Sequence, residues 1–215
     1  MKTTTSRGTD GERADEPAAA ARGRGRPKPP CDLELRVTVT EIEPPIWRLV
    51  RVPDDYTLHQ LHRVFQLLFG WLDYHLYDFR IGERRFEAPD PEAEAEPSTK
   101  ARLRDFGFEA GDRFTYLYDW GDNWEHEVVV EKLHVAELRR GEPRLPILID
   151  GARAGPHEDS GGRWSHAEML KALRNRRHPQ HRQYRDWIEP TYDPERFDPW
   201  LAGQNLMLAA AWGAI

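Results

Sequence analysis

From Leu33 onward, apolar and polar residues alternate: Leu33, Leu35, Val37 and Val39 fall on one side of an extended chain, and Glu34, Arg36, Thr38 and Thr40 on the other. A period of two predicts a half-buried strand. Pro44-Pro45 interrupts it, and Ile46 to Val52, rich in branched residues and carrying Trp47, predicts a second extended segment. The period then changes. Leu58, Leu61, Val64, Phe65, Leu68 and Phe69 recur at helical intervals behind Thr57 and Gln60, which have capping-box spacing, and Gly70 supplies the stop.

Residues 75–81 and Arg84 to Phe86 predict a hairpin about Gly82-Glu83, followed by an acidic, Pro- and Ala-rich loop from Glu87 to Pro97. Phe114, Tyr116 and Tyr118 alternate with Thr115 and Leu117; Trp124, His126, Val128 and Val130 alternate again. The turn chemistry of Trp120-Gly121-Asp122-Asn123 between them predicts a long antiparallel hairpin. A Gly- and Pro-bearing loop from Asp150 to Gly162 leads to a second capping-box spacing, Ser165 with Glu168, which predicts a helix carrying Met169, Leu170 and Leu173. Two more helices are expected, one from near Pro179 with Tyr184, Trp187 and Ile188 as anchors, the other capped by Asp198 with Pro199 at its first position. Strands precede helices without regular βαβ alternation. The fold class expected is therefore α+β, a single domain with an antiparallel or mixed sheet and helices packed on it.

Composition sets the boundary of that domain. Residues 1–30 contain no Val, Ile, Leu or aromatic side chain, so nothing offsets the entropy of ordering them, and a disordered arm is expected. Residues 31–215 form the expected domain, long enough to bury a core without a disulfide or structural metal. Cys31 is the one cysteine, and no basic segment followed by an apolar run opens the chain, so a cytoplasmic location is expected. The longest apolar stretch, Leu206 to Ile215, is about half what a bilayer-spanning helix needs, and no membrane partner is expected.

Net charge is -6; seven basic against four acidic side chains give residues 1–30 a charge of +3, leaving -9 on the remainder. An acidic body repels phosphate backbones overall, so any contact with DNA must come from the arm or from a local patch. Arg24-Gly25-Arg26-Pro27-Lys28 has the form of an AT-hook core, in which two arginines enter a narrow minor groove and Gly25 permits close approach.

Several runs together resemble the plasmid pRiA4b ORF-3-like family, whose members are sometimes labelled mobile-element passenger or resolvase-like proteins. They are Pro45 to Arg48, Leu58 to Trp71 with Asp73 and His75, Phe79 to Gly82, and Tyr118-Asp119-Trp120-Gly121-Asp122-Asn123-Trp124-Glu125-His126. Val130 to Lys132, Asp150-Gly151, Glu158-Asp159 with Gly161-Gly162, and Tyr192-Asp193-Pro194 with Phe197-Asp198 continue the series. The resemblance covers residues 33–200 and implies an α+β fold, with no settled activity. Similar sequences carry cysteine in the loop that here reads Gly155-Pro156-His157-Glu158-Asp159-Ser160, which argues against a thiol role.

The resolvase label finds no support in the residues. No Ser lies between Ser6 and Ser98 to serve as an early nucleophile, and Arg177, His181, Arg182 and Tyr184 crowd into eight positions, so one helix cannot aim them at one phosphate. The hairpin tip and the Glu158-Asp159 loop hold the candidate chemistry. Asp119, Trp120, Asp122, Trp124, Glu125, His126, Glu158 and Asp159 form the candidate contact surface, with Trp124 and His126 at its base and Trp120 the tryptophan expected to be partly exposed. Carboxylate and imidazole groups from Asp122, His126, His157, Glu158 and Asp159 suit a divalent ion such as zinc or manganese. Against this, turns favour Asp and Asn without any ligand, and His126 shares a strand face with Val128 and Val130, as a core histidine does. The pairs His59/His62 and His178/His181 have helical metal-ligand spacing but are expected on solvated faces.

The leading function is a noncatalytic binding or adaptor domain for an unknown protein or small ligand, with no cofactor required. The alternatives are a metal-dependent hydrolase of phosphoester type, with Asp119, Asp122, His126, Glu158 and Asp159 as ligands or bases, and a DNA-associated protein tethered by the arm.

Overall fold

A computed structural model describes residues 29–90, 92–136 and 143–215. The AT-hook-like run and most of the basic arm lie outside the described residues. Eight strands form one sheet: β1 (Cys31–Val39), β2 (Trp47–Pro53), β3 (Tyr77–Ile81), β4 (Arg84–Glu87), β5 (Glu96–Pro97), β6 (Arg113–Tyr118), β7 (Trp124–Val135) and β8 (Ile147–Ala152). Their order across the sheet is β5-β4-β3-β6-β7-β1-β2-β8. Every pairing is antiparallel except β4 with β5, so the sheet is mixed. Among the described residues four α-helices accompany it: α1 (Leu58–Phe69), α2 (Gly162–Arg174), α3 (His181–Trp187) and α4 (Pro199–Ala211).

The alternation read from the sequence is the burial pattern of β1, whose Leu33, Leu35, Val37 and Val39 all enter the core. Thr57 caps α1 through a complete capping box, and its apolar stripe meets the sheet where Phe65 packs edge-on against Tyr116. Asp198 caps α4 as expected, its Oδ1 accepting from the Leu201 amide at 3.0 Å.

Arg48 fixes the relation between helix and sheet. Its guanidinium is buried and donates to the carbonyls of Leu68 (2.8 Å), Trp47 (2.8 Å) and Ala152 (3.0 Å), between the rings of Phe197 and Phe69. Three carbonyls and two aromatic faces thus compensate its desolvation. The end of α1, β2 and β8 are tied at one point, and the segments leaving α1 and β8 carry the candidate site.

Five expectations need correction. Asp150 and Gly151 belong to β8 rather than to a loop, because pairing with β2 orders a segment too exposed to alternate clearly. Helix α2 starts at Gly162 after an N-cap at Gly161, so Ser165 lies inside the helix and is not its cap. His62 is buried, not solvated; its Nδ1 meets the Tyr116 hydroxyl at 2.8 Å and its Nε2 meets Asp73 at 2.6 Å. Trp187 is 44% exposed and so not a core anchor, while Ile188 is buried. Trp120 is partly exposed as expected, but Trp164 is more exposed still, on a helix that leaves that ring unpacked.

Candidate functional site

Three chain segments meet beyond the end of α1. They are residues 70–75 after the helix, the β6–β7 hairpin tip at residues 119–123, and the loop at residues 153–161 between β8 and α2. The tip is shaped by Asp119, whose φ is 56° and whose Oδ1 accepts from the amides of Gly121 (2.9 Å) and Asp122 (3.2 Å). That is the local bonding that makes Asp a turn former. Its second oxygen, Oδ2, lies 3.5 Å from His75 Nε2.

The same imidazole nitrogen lies 3.0 Å from Asp159 Oδ1, and the Tyr74 hydroxyl donates to Asp159 Oδ2 at 2.6 Å. Tyr74 thereby holds the Asp159 carboxyl below the usual range, with His75 adding to the effect, and its own hydroxyl is pushed up by the same bond. Glu158 accepts from the Leu72 amide at 2.8 Å and from the Tyr118 hydroxyl, whose pKa burial and this carboxylate together raise. Asp122 Oδ2 accepts from the Gly161 amide at 2.9 Å, which ties the hairpin tip to the start of α2. Trp71 supports the loop from below, donating from Nε1 to the Pro156 carbonyl at 2.9 Å while stacked on Tyr118.

Two glycines make this approach possible. A Cβ on Gly155 would fall 2.0 Å from the Phe69 carbonyl oxygen, and one on Gly162, at φ 76°, would fall 2.5 Å from the Asp122 carbonyl oxygen. The loop therefore lies against backbone at both ends.

The residues singled out from the sequence divide into four places. Asp119, Asp122, Glu158 and Asp159 belong to this junction, and Trp120 stands on the tip with Arg85 over its ring at 5.0 Å. Glu125 is partly exposed on the outer face of β7. Trp124 and His126 lie in the core, not on a surface, and His126 packs edge-on against Phe69 and Trp71. Its Nδ1 is 3.3 Å from the Tyr116 carbonyl, Nε2 has no hydrogen-bond partner, and burial lowers its pKa to about 3. A fully buried imidazole on this strand face cannot join Asp122 or Asp159 around one ion. His157 also turns away from the acidic pair, its Nε2 meeting Glu189 at 3.0 Å and its ring lying 4.5 Å from Trp187.

The convergent set is His75, Asp119 and Asp159, which place one ligand atom each within 4.8 Å of one another. Asp119 is buried, His75 partly buried and Asp159 exposed. A divalent ion of the zinc or manganese class fits one nitrogen and two carboxylate oxygens in this arrangement. His75 escaped the site reading because it precedes a strand and has no ligand-like spacing to either Asp. The only signal was its place in the run Leu58 to Trp71, Asp73 and His75.

A cleft of about 350 Å³ adjoins the cluster, bounded by the end of α1, the 153–161 loop and the segment following α3. Tyr74, Trp187 and Tyr192 supply aromatic walls, and Glu158, Asp159 and Glu189 supply carboxylates. Trp187, Glu189 and Tyr192 were not candidates, since nothing in their spacing links them to a loop some 30 positions earlier.

Among the described residues, no helix is long and apolar enough to cross a membrane. The sequence profile of plasmid pRiA4b ORF-3-like proteins matches residues 32–200. Uncharacterized protein y4hQ of Sinorhizobium fredii is 35% identical over 156 residues, covering 70% of this chain and 77% of its own length. The crystal structure of a protein of unknown function, MM3350 from Methanosarcina mazei Go1, superposes with a TM-score of 0.71 at 33% identity, covering 80% of this chain and 98% of that one. With the profile spanning most of the sheet and the whole candidate site, the chain belongs to the plasmid pRiA4b ORF-3-like family.

Proposed function

We propose that this protein is a noncatalytic binding domain whose contact surface is the junction of the hairpin tip and the 153–161 loop. One observation carries the reading. Asp119, Asp122, Glu158 and Asp159, from two separate segments, are held by tyrosine hydroxyls, backbone amides and His75, and among the described residues none forms an ion pair with Lys or Arg. Some carboxylates elsewhere are paired with arginine, as Asp54 is with Arg104 and Arg144. Oriented carboxylates without a Lys or Arg partner present a fixed negative potential to a partner.

Site-specific photocrosslinking tests this reading. A benzoylphenylalanine replacing Trp120, on the tip, is expected to capture a discrete partner in cells that carry the gene, and one replacing Leu133, far along β7, is not. Equal capture at both positions would overturn it.

A second reading is favoured by His75, Asp119 and Asp159 specifically. A divalent ion held there would supply a Lewis acid for hydrolysis of a phosphoester, with Glu158 beside it to orient water. Elemental analysis of protein purified without a metal-affinity tag, together with phosphodiester turnover lost in Asp159→Asn, would favour this reading over the first. Metal-free protein without turnover would remove it.

A further inference from the structure

The cleft beside the junction has a chemistry of its own. Its walls carry Tyr74, 54% exposed, and Trp187, 44% exposed, together with the ring of Tyr192. Its carboxylates are Glu158, Asp159 and Glu189, and among the described residues no Lys or Arg lines it. Glu158 meets neutral donors only, Asp159 meets Tyr74 and His75, and Glu189 meets His157. A volume of about 350 Å³ lies at the small end for ligand pockets.

Aromatic faces beside carboxylates that lack a Lys or Arg partner favour one class of group, a cation that is weakly hydrated and has an apolar stem. Guanidinium fits better than ammonium because it is flat, stacks on rings and gives up its water more readily. A compact divalent ion has no use for the rings and would be served instead by His75, Asp119 and Asp159. The acidic groups also continue past the cleft, from Glu189 through Glu158 and Asp159 to Asp119 and Asp122 at the hairpin tip. One cation cannot neutralise that track; a segment with several can.

We propose that the cleft seats the arginine side chain of a basic peptide segment on a partner protein, with further positive charges of that segment lying along the track to the hairpin tip. This rests on the binding-domain reading and assigns the chemistry of its partner.

The test uses the full chain and a fluorescein-labelled Gly-Arg-Gly-Arg-Gly-Arg amide, followed by anisotropy at low and physiological salt. Saturable binding is expected, weaker at the higher salt, and weaker again for the matched peptide with lysine in place of arginine. Trp187→Ala is expected to weaken it by about fivefold. Glu189→Gln, at an exposed position whose loss leaves the fold intact, is expected to weaken it by about threefold or more. Glu83→Gln, which removes the same charge from the β3–β4 turn, is expected to leave it unchanged. Absence of binding at low salt, or equal weakening by Glu83→Gln and Glu189→Gln, would overturn the proposal. Crosslinks through Trp120 without peptide binding would end this inference alone; the absence of both crosslinks and peptide binding would end the binding-domain reading as well.

Discussion

Nε2 of His75 lies 3.0 Å from the carboxylate of Asp159, 84 positions later in the chain, and this contact joins the segment after α1 to the loop before α2. Asp159 is exposed, so the pair adds little to global stability. Asp159→Asn is expected to lower the melting temperature by less than about 3 °C. Amide exchange at residues 156–161 should nevertheless accelerate, because the Tyr74 and His75 ties to the loop weaken. In the parent protein the Asp159 carboxyl sits below its ordinary range, so these ties are complete above that range and are lost as pH falls through the lowered value. Unchanged exchange in the variant would show that Trp71 and Glu158 hold the loop unaided.

His126 makes stability depend on pH in the opposite region from a surface histidine. Burial depresses its pKa to about 3, whereas in the unfolded chain it titrates near 6.5. The unfolded state therefore binds more protons between those values, and stability is full above about 6.5 and declines as pH falls toward 3. His166, also buried and lowered to about 4, acts in the same direction. Replacing His126 with Phe should remove part of this dependence. The urea midpoint of the parent should fall more steeply between pH 7 and pH 5 than that of His126→Phe, and parallel curves would mean that His126 gains a proton without unfolding.

The close approach at Gly162 gives a sharper expectation. Gly162→Ala combines a left-handed backbone position with a Cβ 2.5 Å from the Asp122 carbonyl oxygen. A cost of about 1–3 kcal/mol is expected, measured by denaturant unfolding. The hairpin tip should also move away from α2, shifting Trp120 fluorescence. A variant as stable as the parent, with unchanged emission, would place the tip and helix farther apart than they lie here.

The two capping-box sequences should behave differently. Thr57 accepts from the Gln60 amide at 3.1 Å and caps α1, so Thr57→Ala should cost about 1 kcal/mol. Ser165 lies within α2, so Ser165→Ala should be neutral or slightly stabilising through helix propensity. Thermal melts of the two variants check both statements, and a matching loss in Ser165→Ala would mean that α2 begins at Ser165 in solution.

The sequence alone determined the elements whose signals are local. Alternation in β1, β6 and β7 and the 3.6-residue stripe of α1 are imposed by one buried face, and Thr57, Gly70 and Asp198 act on backbone groups within four residues. It also picked out Asp119, Asp122, Glu158 and Asp159, because turn residues with carboxylates stand out between apolar runs. Tertiary structure alone decided which of these meet. His126 and His157 have suitable chemistry but point into the core and toward Glu189, whereas His75 has no distinctive spacing and lies between Asp119 and Asp159. The reason is that a side chain's partners across the sheet depend on strand order and on close backbone approaches such as those at Gly155 and Gly162. Neither leaves a periodic trace in the chain, so a strand as exposed as β8 and a cleft built from segments about 30 positions apart emerge only when the sheet is assembled.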